Sequence, residues 1–505
     1  MNSRITRLGI GLIVAYLVLF LQLNNIQVRQ ADRLNNHPEN FRNVQRDFDQ
    51  PRGLIASADG VVLAESVPTP DGAYERVRRY PETDLFGQIT GYLSLEFGAD
   101  GVERALNDEL AGKTRAQQFS DLRDLFVDRD HTGDVTLTLR RDLQAVARDS
   151  LGPHRGSVVV LDPRSGEALV LWSWPSFDPN QLSTDDLDAA RSAREALLAD
   201  PSNPLLAKPY RETYAPGSTF KVVTAASALQ AGVATLREPV FPVSDGYVPP
   251  ASSAPLGNFA GGSCGGNLVE ILRDSCNTAF AELGAEVVGP DRMVATAVDF
   301  GFNTPPPLDL PGVEPSRFPT DFGALISGPG GARSVYENSA ALAQSSIGQN
   351  DVAATPLQMA LVAAAVANGG RIATPHVLRE IRDREGKVVR AVKASVWREA
   401  VSAATAAELR QAMEAVVEDG TGRSLQFPGF VVGAKTGTAQ VSADSDATHA
   451  WVIGYAGQPG RAPALAFAVV VEAEPGGAQQ TGGGVAIPVA RPVLEAALNV
   501  VARAG

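Results

Sequence analysis

Histidine is scarce in this 505-residue chain, which has five of them. They are His37, His131, His154, His376 and His449, and no two have the spacing of a metal-binding pair. A histidine-rich metal centre is therefore not expected, and no other feature of the sequence calls for a cofactor. The formal net charge is −13, and the basic residues form no cluster. The composition thus argues against a nucleic-acid partner.

Lysine is nearly as rare, because only six of the 44 basic residues are lysines and the rest are arginines. Arginine keeps its proton inside proteins, whereas a lysine that is removed from water can lose it. A position that keeps lysine in such a chain is therefore a candidate for proton transfer. Lys221 is the one lysine that has a serine, Ser218, three residues before it.

The segment around Ser218 is predicted to open a helix. Pro216 and Gly217 break the chain, and residues 222–229 then repeat apolar side chains at helical spacing. Residues i and i+3 share a helix face, so the Ser218 hydroxyl and the Lys221 amine project into the same space. That is the geometry of a nucleophile and its proton acceptor. Taken alone, the pattern is more typical of a surface lysine one turn after a capping serine, so the isolated motif does not decide the function.

Residues 8–28 form an uncharged run of 21 residues, which is long enough to cross a bilayer. No small-residue cleavage site follows it, so we expect an uncleaved signal anchor with a cytoplasmic tail of residues 1–7. Long domains translocate largely regardless of flanking charges, so the rest of the chain is expected outside the cytoplasm. A buried core helix is the alternative interpretation.

Cysteine occurs twice, as Cys264 and Cys276. The chain has no C-x-x-C pair and thus no support for a zinc ribbon or a redox centre. In an oxidising compartment the two residues would form a disulfide, and in the cytosol they would be buried thiols. The expected location outside the cytoplasm favours the disulfide.

Two domains are expected after the anchor. Residues 29–150 are polar and mixed, and they predict a small α+β membrane-proximal domain in which two short strands flank the turn Asp59-Gly60. Residues 151–505 form the second domain. Residues 157–161 and 167–172 predict a β-hairpin near its start.

The rest of the second domain predicts an α/β fold. Residues 233–425 are mostly helical in pattern, and strand signals return only near the end, at residues 430–439, 450–456 and 464–472. We therefore expect one central antiparallel sheet built from both ends of the domain. Helices should flank this sheet, and the middle of the domain should form an all-helical subdomain beside it.

Two further motifs follow Ser218 and Lys221. Ser275-Cys276-Asn277 is the only S-x-N in the chain, and Lys435-Thr436-Gly437 is the only K-T-G. Each is weak alone, since the first matches a loop turn with a helix cap and the second an edge strand with a glycine bulge. The order S-x-x-K, S-x-N, K-T-G on helix, loop and strand is the signature of penicilloyl-serine transferases.

With these motifs the chain resembles the class B penicillin-binding proteins, and among them the actinobacterial PbpA type. The matching text covers most of the chain and includes Arg52-Gly53, Gly101-Val102-Glu103, residues 175–180, residues 214–221, residues 275–280, residues 355–360, Gly420-Thr421-Gly422 and His449-Ala450-Trp451. No glycosyltransferase segment is expected before residue 156, which fits class B and not class A.

The resemblance implies a peptidoglycan D,D-transpeptidase that is the target of β-lactam antibiotics. Ser218 would attack the penultimate carbonyl of a stem peptide, and Lys221, in its neutral form, would take the serine proton. Ser275 would relay a proton to the leaving terminal D-Ala, and Asn277 would hold the substrate amide. Substrate binding would fall to the strand residues Lys435, Thr436, Gly437 and Thr438. Backbone N–H groups of Ser218 and Thr438 would form the oxyanion hole.

The resemblance also implies a single-pass cell-membrane protein with its catalytic domain outside the cytoplasm. A polytopic SEDS-type, RodA-like glycosyltransferase is the partner that it implies. Two alternatives stay open at this point. A membrane-anchored β-lactamase would need a residue that admits water to the acyl-enzyme. The other alternative is a β-lactam sensor or an assembly scaffold, neither of which would show catalytic turnover.

Overall fold

The computed structural model describes residues 2–30, 50–69, 74–114, 117, 131–327, 335–441, 447–474 and 479–504. Residues 31–49 and 118–130, which belong to the predicted membrane-proximal domain, lie outside the described residues. The α-helices with described bounds are α1 (Asn2–Asn24), α2 (Asp84–Thr90), α3 (Gly101–Ala105), α4 (Asn107–Leu110), α5 (Arg141–Leu151), α6 (Leu187–Ala199), α7 (Lys208–Arg211), α8 (Lys221–Gln230), α9 (Leu268–Arg273), α10 (Asn277–Glu282), α11 (Pro290–Asp299), α12 (Ser339–Ser345), α13 (Pro356–Ala367), α14 (Ala403–Asp419) and α15 (Ile487–Ala504).

The strands with described bounds are β1 (Ile55–Ala56), β2 (Val62–Pro68), β3 (Arg76–Arg79), β4 (Leu93–Ser94), β5 (Gly98–Ala99), β6 (Asp134–Leu137), β7 (Gly156–Leu161), β8 (Ala168–Trp174), β9 (Phe241–Ser244), β10 (Gly246–Tyr247), β11 (Leu256–Gly257), β12 (Cys264–Gly266), β13 (Leu325–Ser327), β14 (Val335–Tyr336), β15 (Arg371–Ala373), β16 (Leu378–Arg382), β17 (Val388–Ala391), β18 (Val396–Glu399), β19 (Val431–Gln440), β20 (Thr448–Gly457) and β21 (Leu465–Val471).

Helix α1 and the turn after it carry the predicted membrane anchor. The apolar stretch Thr6–Arg29 spans 24 residues with a mean hydropathy of 1.9, and none of it is buried within the protein. An exposed apolar helix of this length matches the hydrocarbon thickness of a bilayer. A second apolar stretch, Gly482–Arg503, reaches a mean hydropathy of 1.5 but is 44% buried. It contains most of α15, which packs against the catalytic sheet, so we interpret it as a core helix.

A six-stranded sheet with the order β17-β16-β6-β1-β2-β3 organises the region after the anchor. Strand β1 pairs antiparallel with β2, so that Ile55 faces Ala64, and it runs parallel to β6. The turn between β1 and β2 places Gly60 at a φ of 82°, a conformation that glycine adopts without strain. The predicted pair of strands around Asp59-Gly60 is therefore confirmed.

An ion cluster fastens this sheet to helix α3. The Glu103 carboxylate lies 2.6 Å from Nε of Arg52 and 2.6 Å from Nε of Arg78. The Tyr80 hydroxyl donates to the same carboxylate at 3.3 Å. Each of these four residues is at most 3% exposed. The cluster joins the segment before β1, strand β3 and the helix in one buried network.

The expectation that strands return only after residue 430 is wrong. Strands β9 to β18 lie between residues 241 and 399, and two of them, β16 and β17, extend the six-stranded sheet of the membrane-proximal region. These strands are at most five residues long, and in β16 a buried leucine and a buried isoleucine are separated by two charged residues. Such short, charged segments lack the apolar runs from which we predicted strands.

The catalytic sheet has five antiparallel strands in the order β19-β20-β21-β7-β8. The predicted hairpin is confirmed as β7 and β8, with Val159 opposite Leu171. Strand β21 pairs with β7, so that Val469 faces Val158. The first and last strands of the domain therefore form one sheet, as we predicted.

Helices cover both faces of this sheet. Helix α13, in which all twelve residues are buried, packs against β7, β20 and β21. Helices α5 and α15 pack against each other, with α5 on β8 and α15 on β20 and β21. The predicted domain boundary after residue 150 coincides with the end of α5. We propose to place it before Arg141, because α5 packs on the catalytic sheet.

Candidate active site

Ser218 lies half-buried in a 3₁₀ turn, Gly217–Phe220, which leads directly into α8. The predicted helix start is thus confirmed to within one residue. Gly217 has a φ of 52°, and a Cβ atom at this position would lie 2.7 Å from the carbonyl oxygen of Thr438. Only glycine fits there without movement of the turn. In a 3₁₀ turn residues i and i+3 eclipse each other, so Ser218 and Lys221 lie on one side.

Lys221, the first residue of α8, is completely buried. Its Nζ donates to the carbonyl oxygen of Ser275 and to Oδ1 of Asn277, both at 2.6 Å. It also lies 3.3 Å from Oγ of Ser275 and 5.7 Å from the centre of the Phe280 ring. The groups in direct contact with this amine are therefore uncharged, and in the described part of the chain no carboxylate pairs with it. Such an environment favours the neutral form of lysine.

Ser275 occupies a strained position between two lysines. Its φ is 61°, in the left-handed region that serine rarely enters. The residue presents its carbonyl oxygen to Lys221 and its hydroxyl to Lys435, whose Nζ lies 2.8 Å from Oγ. Backbone strain of this kind persists where the surrounding structure holds the residue, and it is common at active sites.

Lys435 in β19 is also completely buried. Besides Ser275 Oγ, its Nζ donates to the carbonyl oxygen of Thr436 at 2.9 Å. The Ser275 hydroxyl can therefore accept a hydrogen bond from Lys435 while it donates one to Lys221. This is the arrangement of a proton relay.

The two lysines share their electrostatic environment. Burial lowers the pKa of Lys221 well below its usual value, and the nearby Lys435 ammonium lowers it further. Burial lowers the pKa of Lys435 to about 7. Because two buried ammonium groups repel each other, the pair holds one proton far more readily than two.

The strand residues Thr436, Gly437 and Thr438 run beside the nucleophile turn. A Cβ atom at Gly437 would lie 2.9 Å from Cγ2 of Thr219, so strand and turn are in direct contact. Thr438 is half-buried and pairs with Ala450 of β20. The structure therefore brings all eight predicted site residues, from the three motifs, into one place.

Two polar residues for which we predicted no role from the sequence also contact the motifs. The Thr436 hydroxyl donates to Oγ1 of Thr421 at 2.7 Å, and Thr421 is exposed. Asn258 Oδ1 accepts the backbone N–H of Asn277 at 2.9 Å. Thr421 belongs to the segment Gly420-Thr421-Gly422, which is one of the segments that carry the family resemblance, and this segment could have indicated its role. No pattern in the sequence indicates Asn258.

Cys264 and Cys276 form a disulfide with a Cα–Cα distance of 5.8 Å. Of the two possibilities left open by the sequence, the structure contains this one. The bond joins strand β12 to the middle residue of the S-x-N motif. It therefore ties the loop that contacts both lysines to a neighbouring segment.

A second buried cluster supports the segment before Ser218. Lys208 Nζ and the Tyr214 hydroxyl both donate to the Glu472 carboxylate, the latter at 2.9 Å. The indole Nε1 of Trp451 donates to the carbonyl oxygen of Ala215 at 3.1 Å. The chain that enters the nucleophile turn is thus fixed to β20 and to the end of β21.

This arrangement is suited to acyl transfer. It places a serine one 3₁₀ turn from a buried amine, a second hydroxyl between two amines, and the second of these amines in the adjacent strand β19. These are the nucleophile, the proton acceptor, the relay and the anion-binding group that such chemistry requires. Among the described residues, no group of three or more His, Cys, Asp or Glu side chains could hold a metal ion.

The fold and the site together define a class. A five-stranded antiparallel sheet between helices, with S-x-x-K, S-x-N and K-T-G converging at one edge strand, defines the penicilloyl-serine transferases. A family model described as the penicillin binding protein transpeptidase domain matches residues 156–495. A second model, described as the penicillin binding protein A dimerisation domain, matches residues 52–135. The chain belongs to the penicillin-binding protein transpeptidase family.

Two named relatives are similar to this chain over nearly its full length. The peptidoglycan D,D-transpeptidase PbpA of Mycolicibacterium smegmatis is 38% identical over 99% of both chains. The protein of the same name from Mycobacterium tuberculosis is 35% identical over 99% of both chains. A solved structure of penicillin-binding protein A from M. tuberculosis, a ceftriaxone acyl-enzyme complex, matches with a TM-score of 0.80. It is 35% identical and covers 90% of this chain and 100% of its own. The resemblance to the PbpA type is therefore confirmed.

Proposed function

We propose that this chain is a membrane-anchored peptidoglycan D,D-transpeptidase, which cross-links stem peptides through an acyl-enzyme on Ser218. The observation that carries the proposal is the environment of Lys221. Its amine is completely buried, contacts only uncharged groups and lies one 3₁₀ turn from the serine. A neutral lysine in this position can activate a hydroxyl, which a lysine in an ion pair cannot do.

The first half-reaction forms the acyl-enzyme. Lys221 takes the proton of Ser218 Oγ, and this oxygen bonds to the carbonyl carbon of the penultimate D-Ala. Backbone N–H groups of Ser218 and Thr438 bind the oxyanion that results, a contribution of about 3 to 4 kcal/mol per donor in serine hydrolases. The amide C–N bond then breaks, and the proton passes from Lys221 through Ser275 to the leaving nitrogen. The product is free D-Ala.

The second half-reaction transfers the acyl group to an amine of a neighbouring stem peptide. The amine attacks the ester carbon and gives its proton to Lys221. The bond between carbon and Ser218 Oγ breaks as the proton returns to this oxygen. A new peptide bond forms, and the enzyme returns to its starting state with the same number of protons.

The substrate carboxylate would bind at the K-T-G strand. Lys435 would supply the positive charge, and Thr436 and Thr438 would bind beside it. Gly437 lets the strand approach the nucleophile turn, because any side chain there would meet Thr219. Asn277 would hold the amide of the stem peptide. A β-lactam carries a carboxylate next to a strained amide, so the same residues would bind it.

We expect the pH dependence of acylation to follow the two lysines. The second-order rate constant should rise with pH as Lys221 loses its proton, since only the neutral amine can accept the serine proton. It should fall as pH rises through about 7, where Lys435 loses the charge that attracts the carboxylate. Labelling rates with a fluorescent penicillin across this range measure both limbs. A flat profile would contradict the assignment.

We further propose that the anchor α1 crosses the membrane once and leaves the catalytic domain outside the cytoplasm. Substrates of peptidoglycan cross-linking occur only there, and the Cys264–Cys276 disulfide fits an oxidising compartment. A polytopic SEDS-type, RodA-like glycosyltransferase is the partner we propose for the anchor. The 24-residue apolar stretch, which none of the described protein covers, supports a contact within the membrane.

The proposal is tested on the full chain in detergent micelles. We expect a fluorescent penicillin to form one long-lived adduct, located at Ser218 by mass spectrometry of the digested protein. A peptide ending in D-Ala-D-Ala should release D-Ala and form a new amide bond with an added amine. Ser218→Ala should abolish both reactions. Ser227→Ala should retain them, because Ser227 lies in α8 but is buried against Thr296, remote from the motifs.

The other outcomes separate the alternatives. An adduct that hydrolyses within seconds would indicate a β-lactamase. A stable adduct without any peptide-bond formation would indicate a sensor. Failure of the folded wild-type chain to form an adduct would contradict the catalytic proposal and leave an assembly scaffold.

A further inference from the structure

The S-x-N loop is supported from behind by residues 241–266. This segment forms two small antiparallel ladders, β9 with β12 and β10 with β11, and both pack against helix α10. Helix α10 begins at Asn277, the last residue of the motif. Its N-cap residue, Cys276, makes no side-chain capping hydrogen bond. The first N–H groups of the helix therefore need acceptors from another part of the chain.

Asn258 provides this acceptor. Its Oδ1 accepts the N–H groups of Asn277 at 2.9 Å and of Thr278 at 3.0 Å. Its Nδ2 donates to the carbonyl oxygen of Ser244 at 2.8 Å. The opposite orientation of the amide would set its NH₂ group against two N–H donors, so the side chain has one stable orientation. Asn258 thus caps α10 from the β9–β12 segment.

The neighbouring residue orients the Asn277 side chain. Asn277 Nδ2 donates to the carbonyl oxygen of Gly257 at 3.2 Å, which leaves Oδ1 facing Lys221 Nζ at 2.6 Å. A rotated amide would place an N–H donor against the lysine and remove one of its two close acceptors. The environment of the proton acceptor therefore depends on residues 257 and 258.

We propose that Asn258 is a positioning residue for acyl transfer, which holds Ser275-Cys276-Asn277 at the distance from Lys221 that proton transfer needs. It acts through Asn277 and touches neither lysine. The left-handed backbone of Ser275, with its φ of 61°, explains why such support is required. The Cys264–Cys276 disulfide holds the same two segments covalently, so loss of Asn258 should loosen the loop but not release it. The inference rests on the proposed function.

The first test compares Asn258→Ala with a matched variant in the full chain. We expect Asn258→Ala to lower the second-order rate constant of Ser218 labelling by fluorescent penicillin by about 10- to 100-fold, since small displacements at a reacting centre have effects of this size. Asn180→Ala is the control. Asn180 likewise accepts a backbone N–H and donates to a backbone carbonyl, both of Tyr80 and both at 2.9 Å, but it lies away from the motifs. It should lose comparable thermal stability and keep the wild-type rate.

The second variant, Asn258→Asp, distinguishes positioning from a purely structural role. A carboxylate still accepts both N–H groups but cannot donate to the Ser244 carbonyl, so the loop should largely keep its place and the maximal rate should lie closer to wild type than to Asn258→Ala. The negative charge that Asn258→Asp introduces would favour the protonated form of Lys221. Lys435 is the other charged group that affects the pKa of Lys221, and it acts in the opposite direction. The rising limb of the pH–rate profile should therefore move up by roughly half a unit to one unit.

The outcomes are distinct. Wild-type rates in Asn258→Ala, or a loss that matches Asn180→Ala, would overturn the inference while the proposed function stands. An unmoved pH limb in a folded Asn258→Asp would also overturn it. If Asn258→Ala does not fold, the Asp variant and its pH profile decide alone. A wild-type chain that forms no adduct would contradict the proposed function itself.

Discussion

Replacement of Lys221 by methionine is expected to slow acylation of Ser218 by about 10²- to 10⁴-fold, the range for loss of a general base. Methionine retains most of the side-chain volume but cannot accept the serine proton. The loss should appear at every pH, because no other group takes over the role. Time-resolved labelling with a fluorescent penicillin measures it. The stability of the variant should change little, because an apolar chain replaces a buried amine but leaves the Ser275 carbonyl oxygen and Asn277 Oδ1 without their donor.

A matched lysine provides the control for this experiment. Lys393 is exposed and belongs to no motif, so Lys393→Met should label at the wild-type rate. A Lys221→Met protein that labels within tenfold of wild type would show that another group accepts the proton. Ser275 and Lys435 would then be the candidates, because they are hydrogen-bonded to each other in the same site.

The second large effect is expected on stability, far from the catalytic site. Glu103→Gln should destabilise the membrane-proximal region by about 3 to 5 kcal/mol, because Arg52 and Arg78 are then buried without a counter-charge. Burial alone would raise the pKa of Glu103, but Arg78 and Arg52 outweigh it and hold this pKa below its usual value. The carboxylate therefore stabilises the fold above its unfolded-state pKa. That contribution is lost as the pH falls through the folded-state pKa.

Urea unfolding of the full chain, followed with probes in each domain, measures this effect. Glu109→Gln is the control, since the ion pair between Glu109 and Arg390 is partly exposed and should contribute at most about 1 kcal/mol. Penicillin labelling of Glu103→Gln should persist under native conditions, because the site residues lie in the other domain. Equal stability of the two variants would show that the buried arginines find other partners.

The sequence was sufficient for the motifs and for the sheet. Ser218, Lys221, Ser275 and Lys435 belong to short patterns whose spacing and order have a chemical reason, and the structure brings them together. The strands β7, β8 and β21 are long apolar runs because both of their faces are covered. Such signals are local, and they can be read without knowledge of the tertiary contacts.

Other features depend on contacts between distant segments. Asn258 acts on Asn277 through side-chain hydrogen bonds to backbone N–H groups, and any loop asparagine has the same local pattern. Strands β16 and β17 are short and carry charged residues. Strand β16 forms because β6 offers an edge to pair with, and β17 in turn pairs with β16. Lys221 was predicted as a proton acceptor, but its complete burial and its contacts with Ser275 and Asn277 are visible only in the folded chain.

The order of strands also determines when this protein can become active during its synthesis. Val158 and Val469 are direct neighbours in the catalytic sheet, so this sheet cannot form completely until β21 has been synthesised and pairs with β7. The membrane-proximal sheet likewise cannot be completed until β16 has been synthesised and pairs with β6. Long-range pairing of this kind makes folding slow and leaves emerging segments unpaired. A nascent chain that has not yet delivered its last strands can therefore neither bind penicillin nor cross-link, and only the finished polypeptide is an enzyme.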